Sequence, residues 1–188
     1  MYPDDIAAYA PQNAQETADQ RMMLDYIRLF PHNILTRDNE IAHFTASGFI
    51  VNADGSKVLM ARHNLYRVWA WTGGHADGES DFLSVALREA REETGIVHIR
   101  PLSPAIASLD ILPVWGHVKH GRYVPAHQHL NVTYLLQADE TDPLSIRPAE
   151  NSGVGWLPVE GLTRYTNEWQ MDGVYEKLLA RARAILDR

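Results

Sequence analysis

The sequence has no cysteine, and this absence excludes several classes of protein at once. Disulfide-stabilised secreted scaffolds, zinc sites built from thiolates and enzymes with a cysteine nucleophile all require a thiol. Any metal ion that this chain binds must therefore be held by oxygen or imidazole ligands.

A surplus of positive charge is also missing. The chain has 24 acidic and 17 basic residues, so its formal net charge is -7. This charge has the wrong sign for binding the phosphate backbone of duplex nucleic acid, and we expect no such partner. A bound divalent cation would nevertheless allow an acidic site to accept a phosphorylated substrate.

Long apolar runs are absent as well. No run approaches the roughly 18 residues that a membrane-spanning helix needs, and the acidic N-terminus lacks the basic region and apolar core of a signal peptide. We therefore expect a cytoplasmic protein that does not associate with membranes. With 188 residues, of which 45% are hydrophobic, the chain can form one domain with a substantial core.

Apolar residues at three- and four-residue spacing predict helices near both ends of the chain, at residues 15–30 and 167–186. Residues 1–13, with two prolines and no clear period, are expected to form a loose arm. Strands are predicted at residues 43–52, 57–62, 68–71, 97–102, 105–112, 118–124, 127–137 and 154–157. Together with a central helix, this order predicts an α/β fold in which a mixed sheet lies between helices.

The central helix is predicted over residues 81–94. Ser80 and Asp81 are both suitable N-caps, and Gly95 stands where a left-handed C-terminal cap is needed. A stripe of residues at helical spacing should pack on the sheet, and it consists of Leu83, Ala86, Leu87, Ala90 and Thr94.

Three carboxylates crowd a neighbouring face of this helix, at Glu89, Glu92 and Glu93. Their repulsion would destabilise an isolated helix by a few tenths of a kcal/mol per pair, and Arg88 and Arg91 can offset part of it. Mg²⁺ or Mn²⁺ would offset more, because both ions prefer oxygen ligands. The corresponding chemistry is metal-assisted hydrolysis, with one carboxylate accepting a proton from water. The alternative is a solvated, charged helix face without catalytic function.

The run REAREETGI at residues 88–96 resembles the second half of the Nudix hydrolase signature, and it matches that half at every fixed position. Gly155-Trp156-Leu157-Pro158 is similar to the strand and turn that follow the sheet in this family. The resemblance, to proteins of the MutT type, covers roughly residues 43–185.

The first half of the signature departs from the family pattern. Counting back from Arg88 puts the family's first glutamate at Ser80 and its glycine at Gly74, whereas the acid stands one residue earlier, at Glu79. The loop geometry is therefore expected to differ from that of the family. The candidates for the missing carboxylate oxygen are Asp77, Glu79 and Asp81.

The resemblance implies an α/β/α sandwich, with a Nudix domain at residues 41–188 and an added arm and helix at residues 1–40. It also implies a pyrophosphohydrolase that uses Mg²⁺ or Mn²⁺ and acts on a small nucleotide-derived substrate, a nucleoside diphosphate linked to another group. The extra N-terminal helix can either cover the sheet or form a homodimer contact.

The resemblance assigns roles to individual residues. Glu89, Glu92 and Glu93 are the implied metal ligands. Glu89 and Glu92 are implied in catalysis, with Glu89 as a candidate base, and Arg88 would hold a ligand carboxylate by a charge-assisted hydrogen bond. The remaining pair, Gly73 and Gly74, would let the backbone turn tightly beside the site.

A second group of candidates lies outside the signature. Four of the nine histidines fall between residues 117 and 129, namely His117, His120, His127 and His129. His127 and His129 share one face of a strand, where they can contact a phosphate, bind a metal or assist proton transfer, or simply form hydrogen bonds. Glu150 stands where members of the Nudix family can place a further acid that acts on the metal or water, so the resemblance implies this role, and the alternative is a solvated loop residue.

Two alternative functions can be compared with hydrolysis. A catalytically inactive Nudix-like nucleotide-binding or sensor domain would commonly have an eroded signature, whereas all three glutamates are present here. Trp71-Thr72 and His75 faintly resemble the metal-binding arrangement of isopentenyl-diphosphate isomerase, but that reaction needs a cysteine.

Overall fold

The computed structural model describes residues 2–64, 67–119 and 121–187. The helices in these ranges are α1 (Tyr2–Ala8), α2 (Ala14–Leu29), α3 (Phe82–Thr94), α4 (Thr163–Thr166) and α5 (Trp169–Leu186). The strands are β1 (Ala42–Val51), β2 (Lys57–His63), β3 (Trp69–Ala70), β4 (Thr72–His75), β5 (Ile99–Pro101), β6 (Ser108–Val114), β7 (His117–Lys119), β8 (Arg122–Val124), β9 (His127–Ala138) and β10 (Asn151–Pro158).

Eight strands form one mixed sheet with β1 and β9 at its centre. The main path runs β10-β2-β1-β9-β5, while β3 pairs with β2, β4 with β1 and β6 with β9. The β1 and β9 strands are parallel over their whole paired length, from Ala42 opposite Gln128 to Val51 opposite Gln137, and the other pairings are antiparallel. The predicted mixed sheet is confirmed.

Side chains alternate along β1, so the sheet has two differently covered faces. Phe44 points toward α3, where its ring stacks on Phe82 at a centroid distance of 5.1 Å. Phe49 points the other way and stacks on Tyr175 of α5 at 6.1 Å. Two separate buried clusters result, one on each face. The predicted α/β/α sandwich is therefore confirmed.

The expectation of a loose arm at residues 1–13 is wrong. Residues 2–8 form α1, in which Ile6 is fully buried and Tyr2 makes edge contacts at 5.7 Å with both Phe44 and Phe82. A helix of seven residues has little stability of its own, so tertiary packing of these two side chains holds it in place.

The predicted N-terminal helix is confirmed as α2. Asn13 is its N-cap and accepts a hydrogen bond from the backbone N–H of Glu16 at 2.9 Å. Met23 is buried in the core, and the Tyr26 hydroxyl donates to Gln128 of β9 at 2.7 Å, so α2 covers the sheet. The homodimer and the domain boundary at residue 40 stay predictions.

Buried charges tie α2 and α5 to the edge strand β6. Glu16 is fully buried, and its carboxylate accepts hydrogen bonds from Arg181 at 2.6 and 3.0 Å. Lys177 lies 3.2 Å from Glu16 and 2.6 Å from Asp110. Burial alone would raise the pKa of Glu16, but the hydrogen bonds from Arg181 and the charge of Lys177 help to lower it to about 2.

Two strand predictions need correction. The single strand expected at residues 118–124 is a separate hairpin of β7 and β8, and Gly121 between them has a φ of +75°. The strand expected at residues 68–71 is present in its middle part as β3, which pairs with β2, whereas β4, which pairs with β1, was not predicted. Within the described residues, no helix has the length and apolar character to cross a membrane.

Candidate active site

The ends of α3 are fixed as the sequence predicts. Asp81 is the N-cap, and its side chain accepts a hydrogen bond from Ser84 N–H at 3.1 Å. Gly95 is the C-cap, with a φ of +72°, and its N–H donates to the Arg91 carbonyl at 2.8 Å. The buried face is rotated slightly from the predicted one, since Leu83 and Leu87 are only half-buried. It consists of Phe82, Val85, Ala86, Ala90 and Thr94.

Two carboxylates of α3 approach the β4 strand at its paired glycines. A Cβ added to Gly74 would lie 2.4 Å from Cδ of Glu89, so the Glu89 carboxylate occupies that space. The Gly73 N–H donates a long hydrogen bond of 3.5 Å to Oε1 of Glu93. Gly73 and Gly74 pair with Ser47 and Ala46 of β1, so the expected tight turn is absent at these residues. Glycine is needed at position 74 because the carboxylate comes so close.

These two carboxylates lie in a poorly solvated place. The Glu89 side chain is 15% exposed, and Glu93 is also half-buried. Burial raises the pKa of Glu93 to about 8, and the charges of Glu89 and Glu150 contribute in the same direction. Burial and the charge of Glu92 raise the pKa of Glu89 as well. The raised pKa values show that negative charge is unfavourable at this site in the absence of a cation, and a bound cation would stabilise the ionised carboxylates.

Arg88 connects the first half of the signature with the second half. Its guanidinium lies 2.5 Å from Glu79, 3.5 Å from Glu89 and 3.9 Å from Glu92. Of the three candidates for the missing oxygen, Glu79 is thus the one linked to these carboxylates. Asp77 instead pairs with Arg37, and Asp81 caps the helix.

Arg147 was not identified in the sequence, although it contacts two of the predicted residues. Its Nη1 lies 2.7 Å from Oε2 of Glu92 and 3.2 Å from Oε2 of Glu150. The Asn151 side chain donates to the backbone carbonyl of Glu93 at 2.9 Å, which ties the same loop to α3. The only sequence signal was an arginine and a glutamate three residues apart before a predicted strand.

The structure brings the predicted carboxylates together only in part. Glu89 and Glu93 approach β4, whereas Glu92 is 41% exposed and is drawn toward Arg147. Among the described residues, the potential metal ligands that all lie within 4.8 Å of one another are histidines, not the three glutamates.

The predicted pair His127 and His129 lies apart from α3. Their rings are 4.9 and 5.2 Å from the ring of His43, a residue that the sequence reasoning did not identify. His43 immediately precedes Phe44, which faces α3, so the histidines lie on the opposite face of the sheet. His117 instead bonds the carbonyl of Trp115 at 2.9 Å, and His120 lies outside the described residues.

Known structures share this fold. The MutT protein from Methanosarcina mazei Go1 superposes with a TM-score of 0.58 at 14% identity, over 77% of this chain and 98% of that chain. A binary complex of a C. elegans Ap4A hydrolase gives a TM-score of 0.53 at 15% identity, over 75% of this chain and 98% of that chain. The protein thus belongs to the class of α/β/α sandwiches, and it carries a helix with several carboxylates on one face of the sheet.

The family follows from the sequence comparisons. The family model described as NUDIX domain matches residues 42–178, so this chain belongs to the Nudix family. It is also 24% identical over 145 residues to an RNA pyrophosphohydrolase of Pelagibacter ubique (strain HTCC1062), covering 74% of this chain and 91% of that relative. It is a Nudix-type pyrophosphohydrolase, and members of this family generally use divalent metal ions.

Proposed function

We propose that this enzyme hydrolyses the diphosphate linkage of a nucleoside diphosphate derivative, using Mg²⁺ or Mn²⁺ held by Glu89, Glu92 and Glu93. The observation that supports this proposal most strongly is the position of Glu89 and Glu93. Both carboxylates are partly shielded from water beside the β4 strand, and the pKa of each stays raised although Arg88 lies 3.5 Å from Glu89.

The donor set fits a hard divalent cation. The side chains are carboxylates, which Mg²⁺ and Mn²⁺ prefer, and a cation would relieve the raised pKa values of Glu89 and Glu93. Glu92 can join them through Oε1, while its Oε2 keeps the contact with Arg147. When bound, such an ion neutralises phosphate oxygens and activates water as a nucleophile.

The remaining residues have positioning and proton-transfer roles in this proposal. Arg88 holds Glu79, Glu89 and Glu92 in one network of charge-assisted contacts. Glu89 is the proposed general base, because its carboxylate lies beside β4 within the proposed metal site and is largely shielded from water. Water attacks phosphorus, its proton passes to the carboxylate, and one phosphorus–oxygen bond of the diphosphate bridge breaks.

Arg147 and Glu150 close the site from the loop that precedes β10. The charge of Glu150 contributes to the raised pKa of both Glu89 and Glu93. We assign Glu150 to a contact with the attacking water or with the metal. Arg147 contacts both Glu92 and Glu150, and we assign it to holding these two carboxylates in position.

A substrate panel tests this proposal. The compounds are ADP-ribose, NADH, dinucleoside polyphosphates such as Ap4A, nucleotide sugars, coenzyme A, nucleoside triphosphates and a 5′-triphosphorylated RNA. Each is incubated with and without Mg²⁺ or Mn²⁺, and products are separated by chromatography. We expect metal-dependent cleavage of at least one compound, with ¹⁸O from labelled water in a phosphate product. Binding of a nucleotide without turnover of any compound would instead support the inactive sensor domain.

A further inference from the structure

Four histidines form a cluster on the face of the sheet opposite α3. His43 comes from β1, His75 from β4, and His127 and His129 from β9. One ligand nitrogen of each of His43, His75 and His129 lies within 4.8 Å of those of the other two. The signature glutamates do not take part, because His75 and Gly74 are neighbours in a strand and point to opposite faces.

The strand register creates the cluster. His43 lies directly opposite His129 in the parallel β1–β9 pair. His75 pairs with Thr45 in the antiparallel β1–β4 ladder, and therefore lies on the same face as His43. Three hydrogen-bonded strands thus hold the three imidazoles, which is a more rigid support than a loop provides.

Hydrogen bonding fixes the ring of His43 in a ligand orientation. Its Nδ1–H donates to the backbone carbonyl of Asn39 at 2.9 Å, so Nε2 keeps its lone pair. Asn39 is itself fixed, because its side-chain oxygen accepts from the backbone N–H groups of Ile41 and Ala42 at 3.1 and 3.2 Å. A backbone acceptor behind one ring nitrogen is the arrangement by which metal-binding histidines are oriented.

The Nε2 atoms of His43 and His129 are shielded from water and have no hydrogen-bond partner among the described residues. A buried polar group without a hydrogen-bond partner destabilises the folded protein, and this cluster contains two of them. A bound cation that accepts both lone pairs would remove this destabilisation.

We infer that His43, His75 and His129 bind a first-row transition-metal ion of the Zn²⁺ type, at a site separate from the carboxylates of α3. Imidazole is a favourable ligand for Zn²⁺, Co²⁺, Ni²⁺ and Cu²⁺ and a poor one for Mg²⁺. Ligand nitrogens around tetrahedral Zn²⁺ are about 3.3 Å apart, which small rotations of these side chains can reach.

His127 stands at the open side of this site. Its ring is 4.9 Å from that of His43 and 5.2 Å from that of His129, and its Nδ1–H donates to the Pro125 carbonyl at 2.9 Å. The fourth coordination position therefore falls to His127 or to water. Side chains that bind such metals well are thiolates and imidazoles. Because the sequence has no cysteine, histidine is the residue that can supply these ligands here.

The test uses the full chain without an affinity tag, stripped of metal and kept in excess Mg²⁺ so that the carboxylate site is occupied. Zn²⁺ is titrated by calorimetry, and Co²⁺ by its visible absorption. We expect one Zn²⁺ per chain and the intense Co²⁺ bands of a tetrahedral site. His129→Asn and His75→Asn should each weaken Zn²⁺ binding by about 100-fold. The matched control is His32→Asn at an exposed position, which should bind Zn²⁺ like the parent.

Three outcomes would overturn the inference. They are failure of the parent to bind Zn²⁺ stoichiometrically, Zn²⁺ binding by His129→Asn equal to that of His32→Asn, and loss of Zn²⁺ binding in Glu93→Gln. The last would place the ion among the carboxylates. X-ray absorption at the zinc edge of the parent protein provides a check that needs no variant. Scattering from at least three imidazoles supports the site, and a shell of oxygen atoms alone contradicts it.

Discussion

The Glu89 carboxylate lies where a side chain at position 74 would have to be, since a Cβ built on Gly74 would come within 2.4 Å of Cδ of Glu89. The β4 strand and α3 therefore constrain each other at this point. Moving Glu89 aside would also disturb its contact with Arg88.

Gly74→Ala should therefore reduce kcat by about 100-fold while the protein stays folded, because a displacement of about 1 Å at a catalytic group can have this effect. Steady-state kinetics and circular dichroism measure the two quantities. The control is Gly173→Ala in α5, where an added Cβ meets nothing within 4 Å. That variant should keep its activity and gain up to about 1 kcal/mol of stability from better helix propensity. Full activity in Gly74→Ala would contradict the assigned role of Glu89.

Glu93→Gln should stabilise the metal-free protein at alkaline pH. The pKa of Glu93 is raised to about 8, so the folded state holds this proton more tightly than the unfolded state. The resulting stability is present below the ordinary value of 4.5 and is lost as the pH rises through 8. In EDTA at pH 9, the unfolding temperature of Glu93→Gln should exceed that of the parent, and at pH 4 the difference should vanish. A lower unfolding temperature at pH 9 would contradict the buried charge.

Arg147→Ala should affect activity far more than stability. The side chains of Arg147, Glu92 and Glu150 are 39 to 44% exposed. Losing the two ion pairs should therefore reduce the free energy of unfolding by less than about 1 kcal/mol. Both carboxylates would lose their common anchor, and we expect kcat to fall by about tenfold. Arg28→Ala removes a more exposed ion pair with Asp25 on α2, and should leave kcat unchanged. Equal kcat values for the two variants would remove Arg147 from the site.

Glu16→Gln should reveal the buried ion cluster through its pH dependence. The folded-state pKa of Glu16 is lowered from 4.5 to about 2, so its stabilising contribution is present above pH 4.5 and is lost as the pH falls toward 2. Denaturant titration at pH 7 should show a loss of about 3 kcal/mol in the variant, and a much smaller loss at pH 2. Exposed Glu176→Gln is the control, with no difference at either pH. A deficit of Glu16→Gln that does not change with pH would contradict the ionised cluster.

The sequence was most informative where local rules decide the structure. The α3 helix could be predicted because Asp81, Gly95 and the apolar spacing between them act within a few residues. The two central strands were predicted to within one residue at most ends because β-branched and aromatic residues lie between turn residues.

Features that depend on distant residues could not be predicted in this way. Arg147 meets Glu92 across 55 positions, and no local pattern indicates that contact. His43 meets His129 through the register of two parallel strands, which is set only when the whole sheet forms. The α1 helix escaped prediction because burial of Ile6, rather than helix propensity, holds it.

The hydrolysis rate of Glu93→Gln, measured in Mg²⁺ on the best substrate of the panel, tests the central claim most directly. The matched control is Glu176→Gln, which makes the same substitution on the exposed face of α5. We predict that Glu93→Gln loses at least about 100-fold in kcat while Glu176→Gln matches the parent, because Glu93 is a proposed metal ligand and Glu176 is not. Equal rates in the two variants, with both proteins folded, would contradict the assignment of the active site to α3.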